Sequence, residues 1–138
     1  MPRKDLFHDA VVHALAQDGW LITDDPLRLA YGGRNLFVDL GAEQPIAAEK
    51  AGRKIAVEIK GFLEESDVHE LGESIGQYRM YRNILAELEP ERELYMAVPV
   101  YAYNGIFQEP LGQLMVVKEQ LRLTVFDEVQ RRIDRWIP

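Results

Sequence analysis

Apolar and polar residues near the start of the chain recur at helical rather than strand spacing. In DLFHDAVVHALAQD, Phe7, Val11, Ala14 and Leu15 fall on one arc of a 3.6-residue wheel, with Asp9, His13 and Gln17 opposite. This predicts a helix over residues 5–18, ended by Gly19 just past its last turn. Trp20-Leu21-Ile22-Thr23 then reads as a small strand, and Asp24-Asp25-Pro26 breaks regular structure. Tyr31-Gly32-Gly33-Arg34-Asn35 reads as a flexible turn into a strand through Leu36, Phe37, Val38 and Leu40 that carries Asp39. Residues 41–45 read as a turn, and residues 46–49 with 53–59 as a hairpin closed around Lys50-Ala51-Gly52, with Glu49 a spare acid at its end.

Ser66 is a suitable N-cap, with Asp67 in the first turn, for a long helix reaching residue 88. Its inward arc collects Leu71, Ile75, Tyr78, Leu85 and Leu88, with Gln77 and Tyr81 at the rim. Leu94-Tyr95-Met96-Ala97-Val98 has the length and continuity of a buried strand, ended by Pro99. Residues 101–120 read as a broken or short pair of helices, residues 122–126 as a last strand, and residues 128–136 as a closing turn or helix that docks Trp136 and Ile137. The order is helix, three strands, helix, strand, helical segment, strand. An antiparallel meander followed by a βαβ crossover predicts an α/β fold: a mixed β-sheet flanked by helices on both faces, in one domain spanning residues 1–138.

Chemistry concentrates in LFVDLGAEQPIAAEKAGRKIAVEIK. Side chains alternate along a strand, so Glu58 and Lys60 face one way, roughly 6 to 7 Å apart, while Ile55, Val57 and Ile59 face the other. Asp39 interrupts an apolar run, where an acid needs a partner. Two carboxylates brought together repel unless one takes a proton or a cation sits between them. Mg2+ or Mn2+ suits such a donor set, with Asp39 and Glu58 as ligands and Lys60 placed to hold water or neutralise a phosphate. The bland alternatives are the wet face of an antiparallel strand, a capped turn, or an ion pair with Arg34 or Lys60. His8 lies in the apolar arc of the first helix as a core histidine or as a polar group aimed into the cleft; His13 is on the polar side. Gln77 and Tyr81 are a solvated and an amphipathic rim residue, or a pair one turn apart beside the acidic strand.

The formal net charge of −7 counts against unaided DNA binding, so the 16 basic residues must cluster or charge must come from a metal or a partner. The absence of cysteine excludes disulfides and thiolate zinc sites and suits a reducing compartment. There is no signal-peptide core and no apolar run of membrane-crossing length, so a cytoplasmic protein without a membrane role is expected.

With Val38-Asp39, Glu58-Ile59-Lys60 and Gln77-Tyr78-Arg79-Met80-Tyr81 in that order, the chain resembles the PD-(D/E)xK superfamily of restriction-endonuclease-like nucleases. Valine stands where that motif has proline. The resemblance implies a restriction-endonuclease-like fold and a Mg2+-dependent deoxyribonuclease with Asp39, Glu58, Lys60, Gln77, Tyr81 and His8 as site residues; Asp9 is a further first-helix match. The phrases KDLFHDAV, ALAQDGW, VDLGAE, AAEKAGRKIAVEIK, GQY, EPLGQL and QLRLTVFD resemble the XisH family of fdxN-element excision controlling factors. That likeness implies programmed excision of a DNA element during heterocyst differentiation, beside a site-specific recombinase and an XisI-like companion protein. A homodimer is a further expectation, since two strands invite two sites. The rival expectation is a non-catalytic accessory protein that uses a nuclease-like scaffold for binding.

Overall fold

The computed structural model describes residues 3–44 and 52–138. Helix α1 (Arg3–Gln17) precedes four short strands, β1 (Leu21–Asp24), β2 (Leu27–Tyr31), β3 (Arg34–Val38) and β4 (Leu40–Gln44). Then come β5 (Arg53–Ile59), the long helix α2 (Asp67–Leu88) and β6 (Arg92–Pro99). Helix α3 (Val100–Asn104), a 3-10 turn (Ile106–Gln108) and α4 (Pro110–Lys118) lead to β7 (Leu123–Asp127) and β8 (Arg132–Ile137).

Six strands form one sheet in the order β1-β4-β5-β6-β7-β8, while β2 and β3 pair separately. β4 and β5 are antiparallel, whereas β5–β6 and β6–β7 are parallel because helices carry the chain back between them. The sheet is therefore mixed, as expected. One face is covered by α1, whose Phe7, Val11 and Leu15 pack with Ile55, Val57 and Phe126. The other is covered by α2, whose Leu71, Tyr78 and Leu85 pack with Ala56, Leu94 and Met96. Strand β5 is thus buried on both sides, which a half-wet antiparallel strand would not be.

Several local expectations are corrected. Residues 41–45 do not form a turn: Leu40–Gln44 is β4, the strand that pairs with β5. Glycine and polar residues there serve packing, since a Cβ on Gly41 would lie 2.9 Å from Asp24 Oδ2 and 3.1 Å from Arg92 Nη1. The expected strand over residues 46–49, with Glu49, lies outside the described residues. The run through Leu36 to Leu40 is two strands, broken at Asp39, where the chain leaves the β2–β3 hairpin for the main sheet. Tyr31 and Arg34, read as part of a flexible turn, end two further strands, Leu27–Tyr31 and Arg34–Val38, with only Gly32 and Gly33 in the turn at positive φ of 57° and 78°. The tail is strand β8 rather than a turn or helix. Asp127 Oδ1 accepts from the N–H groups of Val129 and Gln130, and that local turn reverses β7 into β8. Trp136 docks as expected, its ring against Tyr95 and Trp20 and its Nε1 donating to Asp18 Oδ2 at 3.1 Å. Leu88, expected on the inward arc of α2, is 41% exposed.

Tyr78 ties α2 to the sheet. Its buried hydroxyl donates to Leu94 O at 3.0 Å and accepts from Arg122 N at 3.1 Å. Tyr78→Phe keeps the ring but leaves a carbonyl and an N–H without partners, so urea unfolding should show a loss of about 1 to 3 kcal/mol with an unchanged m-value.

Candidate functional site

The bend at Asp39 lies beside the C-terminal end of β5, because β4, which starts at Leu40, pairs antiparallel with β5. Asp39 Oδ2 accepts from Ile59 N at 2.7 Å, and Asp39 N donates to Glu58 Oε1 at 3.1 Å. This reciprocal pair holds the two carboxylates within interaction range of one another. Lys60 N donates to Ala97 O at 2.9 Å, which prolongs the β5–β6 ladder by one residue and places the Lys60 side chain on the same face as Glu58. Its Nζ lies 3.5 Å from Glu58 Oε2 and donates to Gln77 Oε1. Gln77 Nε2 donates to the Tyr81 hydroxyl at 2.9 Å, and that hydroxyl donates to Phe37 O at 3.2 Å. One hydrogen-bonded chain thereby runs from β5 through α2 to β3.

Burial sets the electrostatics. Glu58 is 8% exposed, and its pKa is raised to about 7, first by desolvation and then by the charge of Asp39, with Lys60 opposing. Tyr81 is 5% exposed, a core residue rather than the rim residue expected, because the β2–β3 hairpin covers it through Leu27, Leu29 and Val38. Its phenol is pushed up to about 12 by burial and by Glu58 and Asp39, so it stays protonated as a donor.

Asp39, Glu58, Lys60, Gln77 and His8 line one cleft of about 690 Å³; Tyr81 lies behind it. His8 reaches the cleft because Gly61 lets α1 lie close: a Cβ there would be 2.7 Å from Phe7 Cε2. His8 is not a core histidine; half-exposed, its Nε2 sits 2.9 Å from Asp25 Oδ1. Asp9 does not join the site: it is exposed, and its carbonyl accepts from Arg131 Nη2 at 3.4 Å. Asp39 makes no ion pair with Arg34; Lys60 does pair with Glu58.

A family model described as XisH protein matches residues 1–134. The chain belongs to the XisH family. It is similar to the crystal structure of an XisH family protein from Nostoc punctiforme PCC 73102, with a TM-score of 0.89 and 40% identity over 97% of this chain and 100% of that one. It is also similar to the crystal structure of a fdxN element excision controlling factor protein from Anabaena variabilis, with a TM-score of 0.87 and 41% identity over 97% of this chain and 99% of that one. No curated protein matches.

Other cleft residues of this XisH-family chain escaped the sequence reading. Glu70 is buried and accepts from Phe62 N at 2.6 Å and Glu64 N at 3.0 Å, which holds the segment after Lys60 in place with Phe62 at φ 52°. An acid in the first turn of a helix ordinarily signals only the helix dipole, so nothing local marks this role. Ser74, one turn on, also lines the cleft, and its buried Oγ has no hydrogen-bond partner. Glu64, His69 and Glu73 gather at the exposed mouth, their ligand atoms within 4.8 Å of one another. Asp25, read as part of a chain break, is the partner of His8.

Proposed function

We propose that this XisH-family chain is a Mg2+- or Mn2+-dependent DNA phosphodiesterase of the PD-(D/E)xK type, working in the control of excision of a DNA element. The observation that carries the reading is the convergence of the Asp39 and Glu58 carboxylates with the Lys60 ammonium in one open cleft. The similarity to a fdxN element excision controlling factor protein supports the biological setting.

The donor set fits a hard divalent cation. Asp39 Oδ1 has no hydrogen-bond donor among the described residues, and Glu58, raised first by burial and then by the charge of Asp39, has only Lys60 opposing that rise, so a cation beside the two carboxylates would relieve both causes. Asp39 and Glu58 would hold the ion, which when bound supplies Lewis-acid polarisation of the phosphate and a more acidic water. The chain's own groups do the rest. Lys60, steadied by Gln77, presents its ammonium to the phosphate oxygens as charge builds on them. Tyr81 fixes Gln77 from behind, and Tyr81 also ties the backbone of Phe37 to the site. His8, oriented by Asp25, lines the same cleft and would face the incoming phosphate from α1.

Purified protein incubated with labelled duplex, single-stranded and branched DNA should cut at least one of them with Mg2+ or Mn2+ and none with EDTA. Absence of cutting on all three with both metals defeats the catalytic reading.

A second reading is a non-catalytic accessory protein that binds an XisI-like companion, a recombinase or DNA. It is favoured by the closed network in which Lys60 is already committed to Glu58 and Gln77. On that reading Asp39→Asn and Lys60→Ala proteins would still support excision in cells.

A further inference from the structure

We propose that the exposed β2–β3 hairpin is the arm that takes hold of DNA and feeds it to the cleft, an inference that rests on the nuclease reading for its destination but not for its binding. One face of the hairpin, Leu27, Leu29 and Val38, is buried against the core. On the other, Arg28 stands directly opposite Phe37, and Ala30 opposite Asn35. All four are exposed, Phe37 at 52%. At the tip Tyr31, 52% exposed, is opposite Arg34; by register this pair is on the side of Leu29 and Val38, but both residues are exposed, so the hairpin offers an arginine and a ring on each side.

Charge distinguishes this hairpin. The chain has a net charge of −7, yet residues 27–38 contain two arginines and no acid. Arg53, Arg79, Arg92, Arg122 and Arg135 each lie within an ion-pair distance of a carboxylate. Arg28 is instead held by a neutral group, its Nε donating to Asn35 Oδ1 at 3.0 Å, and Arg34 has no side-chain partner among the described residues. Two guanidinium groups left uncompensated beside exposed aromatic rings suit a polyanion with stackable bases, and DNA presents a negative charge about every 1.7 Å of its axis. The other arginines without a carboxylate partner among the described side chains are elsewhere: Arg82 spends its guanidinium on Glu119 O and the Tyr78 ring, Arg131 donates to Asp9 O, and Arg132 lies on β8, three strands beyond β5.

Position supplies the link to the site. Val38, the last residue of β3, is followed directly by Asp39, and Phe37 O is the acceptor at the end of the chain of bonds from Lys60. A strand held by Arg34 at the tip has roughly 13 Å of hairpin along which to reach the cleft, from the rise per residue of a β-strand. The arm therefore offers the phosphate contacts that the acid-lined cleft does not.

The experiment measures equilibrium binding of a fluorescein-labelled DNA duplex by anisotropy in Ca2+, across a salt series, with cleavage in Mg2+ followed in parallel. Arg28→Ala/Arg34→Ala should weaken binding about 10- to 100-fold at low salt and reduce the slope of log K against log salt by about two, close to one per phosphate contact. Arg34→Glu, at a position with no intramolecular partner to lose, should weaken it at least as much with an unchanged melting temperature. Phe37→Ser should weaken binding several-fold without altering the slope, and Arg132→Ala, an equal loss of charge at the far edge, should change neither. Wild-type affinity in the double variant overturns the proposal, as does an equal loss in Arg132→Ala or a wild-type protein that binds no DNA. The two readings fail separately: cutting that continues with Arg28 and Arg34 dispensable removes the arm alone, while arginine-dependent binding without any cutting keeps the arm and removes the nuclease.

Discussion

Lys60→Ala is expected to lower the single-turnover rate of metal-dependent DNA cleavage by roughly 100- to 1,000-fold, the range for removing one preorganised charge from a developing anion. Its Nζ is held on two sides, by Glu58 at 3.5 Å and by Gln77, so on the nuclease reading no reorganisation would be needed when charge appears on phosphate. Alanine also leaves Glu58 beside Asp39 without the cation that lowers its pKa, so divalent affinity should change along with the rate. Gln77→Ala, which frees the ammonium without removing it, should cost only about tenfold, within the range of misplacing rather than losing a group. Titrating the metal in both variants separates affinity from turnover. If Lys60→Ala cuts within twofold of wild type at saturating metal, Lys60 has no catalytic part.

Metal-free protein should lose roughly 3 kcal/mol of stability as pH rises from about 4.5 to above 7, the linkage equivalent of raising Glu58 from 4.5 to about 7. The sign follows from proton uptake. Within that window the folded chain keeps a proton on Glu58 that the unfolded chain has released, so higher pH favours unfolding. This contribution is complete below about 4.5 and gone above 7. Other groups of the chain titrate alike in wild type and variant, so the test is a difference between proteins. Glu58→Gln should melt higher than wild type at pH 8 and show no such advantage at pH 5. Mg2+ should raise the wild-type melting temperature more at pH 8 than at pH 6, by the equivalent of about 2.7 kcal/mol at about 100 times its dissociation constant, and should leave Glu58→Gln little changed. Identical pH profiles for the two proteins would show that the carboxylates are not strained against each other, and the case for a cation between them would go too.

Residues 36–60 show how much of the site could be read from the chain and where reading stopped. The facing of Glu58 and Lys60 follows from strand alternation alone, and the Gln77-Tyr81 pair from helical spacing, so both were legible. That Asp39 sits at the hinge between two sheets was not legible, since a lone acid within an apolar run gives the same pattern in an unbroken strand. Glu70 and Ser74 stand on the turns preceding Gln77 and carry no local mark at all. Their importance comes from the segment after Lys60 folding back over α2.

What the sequence by itself determined is therefore everything with a local period: the amphipathic α1, the capped α2, the two-sided burial of β6, and the crossover that makes the sheet mixed. The tertiary structure alone decided which segments pair and what they cover. Strand β4 exists because Gly41 and Ala42 are small enough to lie beneath Asp24, Arg92 and α1, a property no periodicity encodes. Tyr81 is core rather than rim because the hairpin lies on it, and Glu58 holds its proton to about neutral pH because α2 and Asp39 close over it. In each case the deciding partner is distant along the chain, and a helical or strand period reports only on neighbours a few residues away.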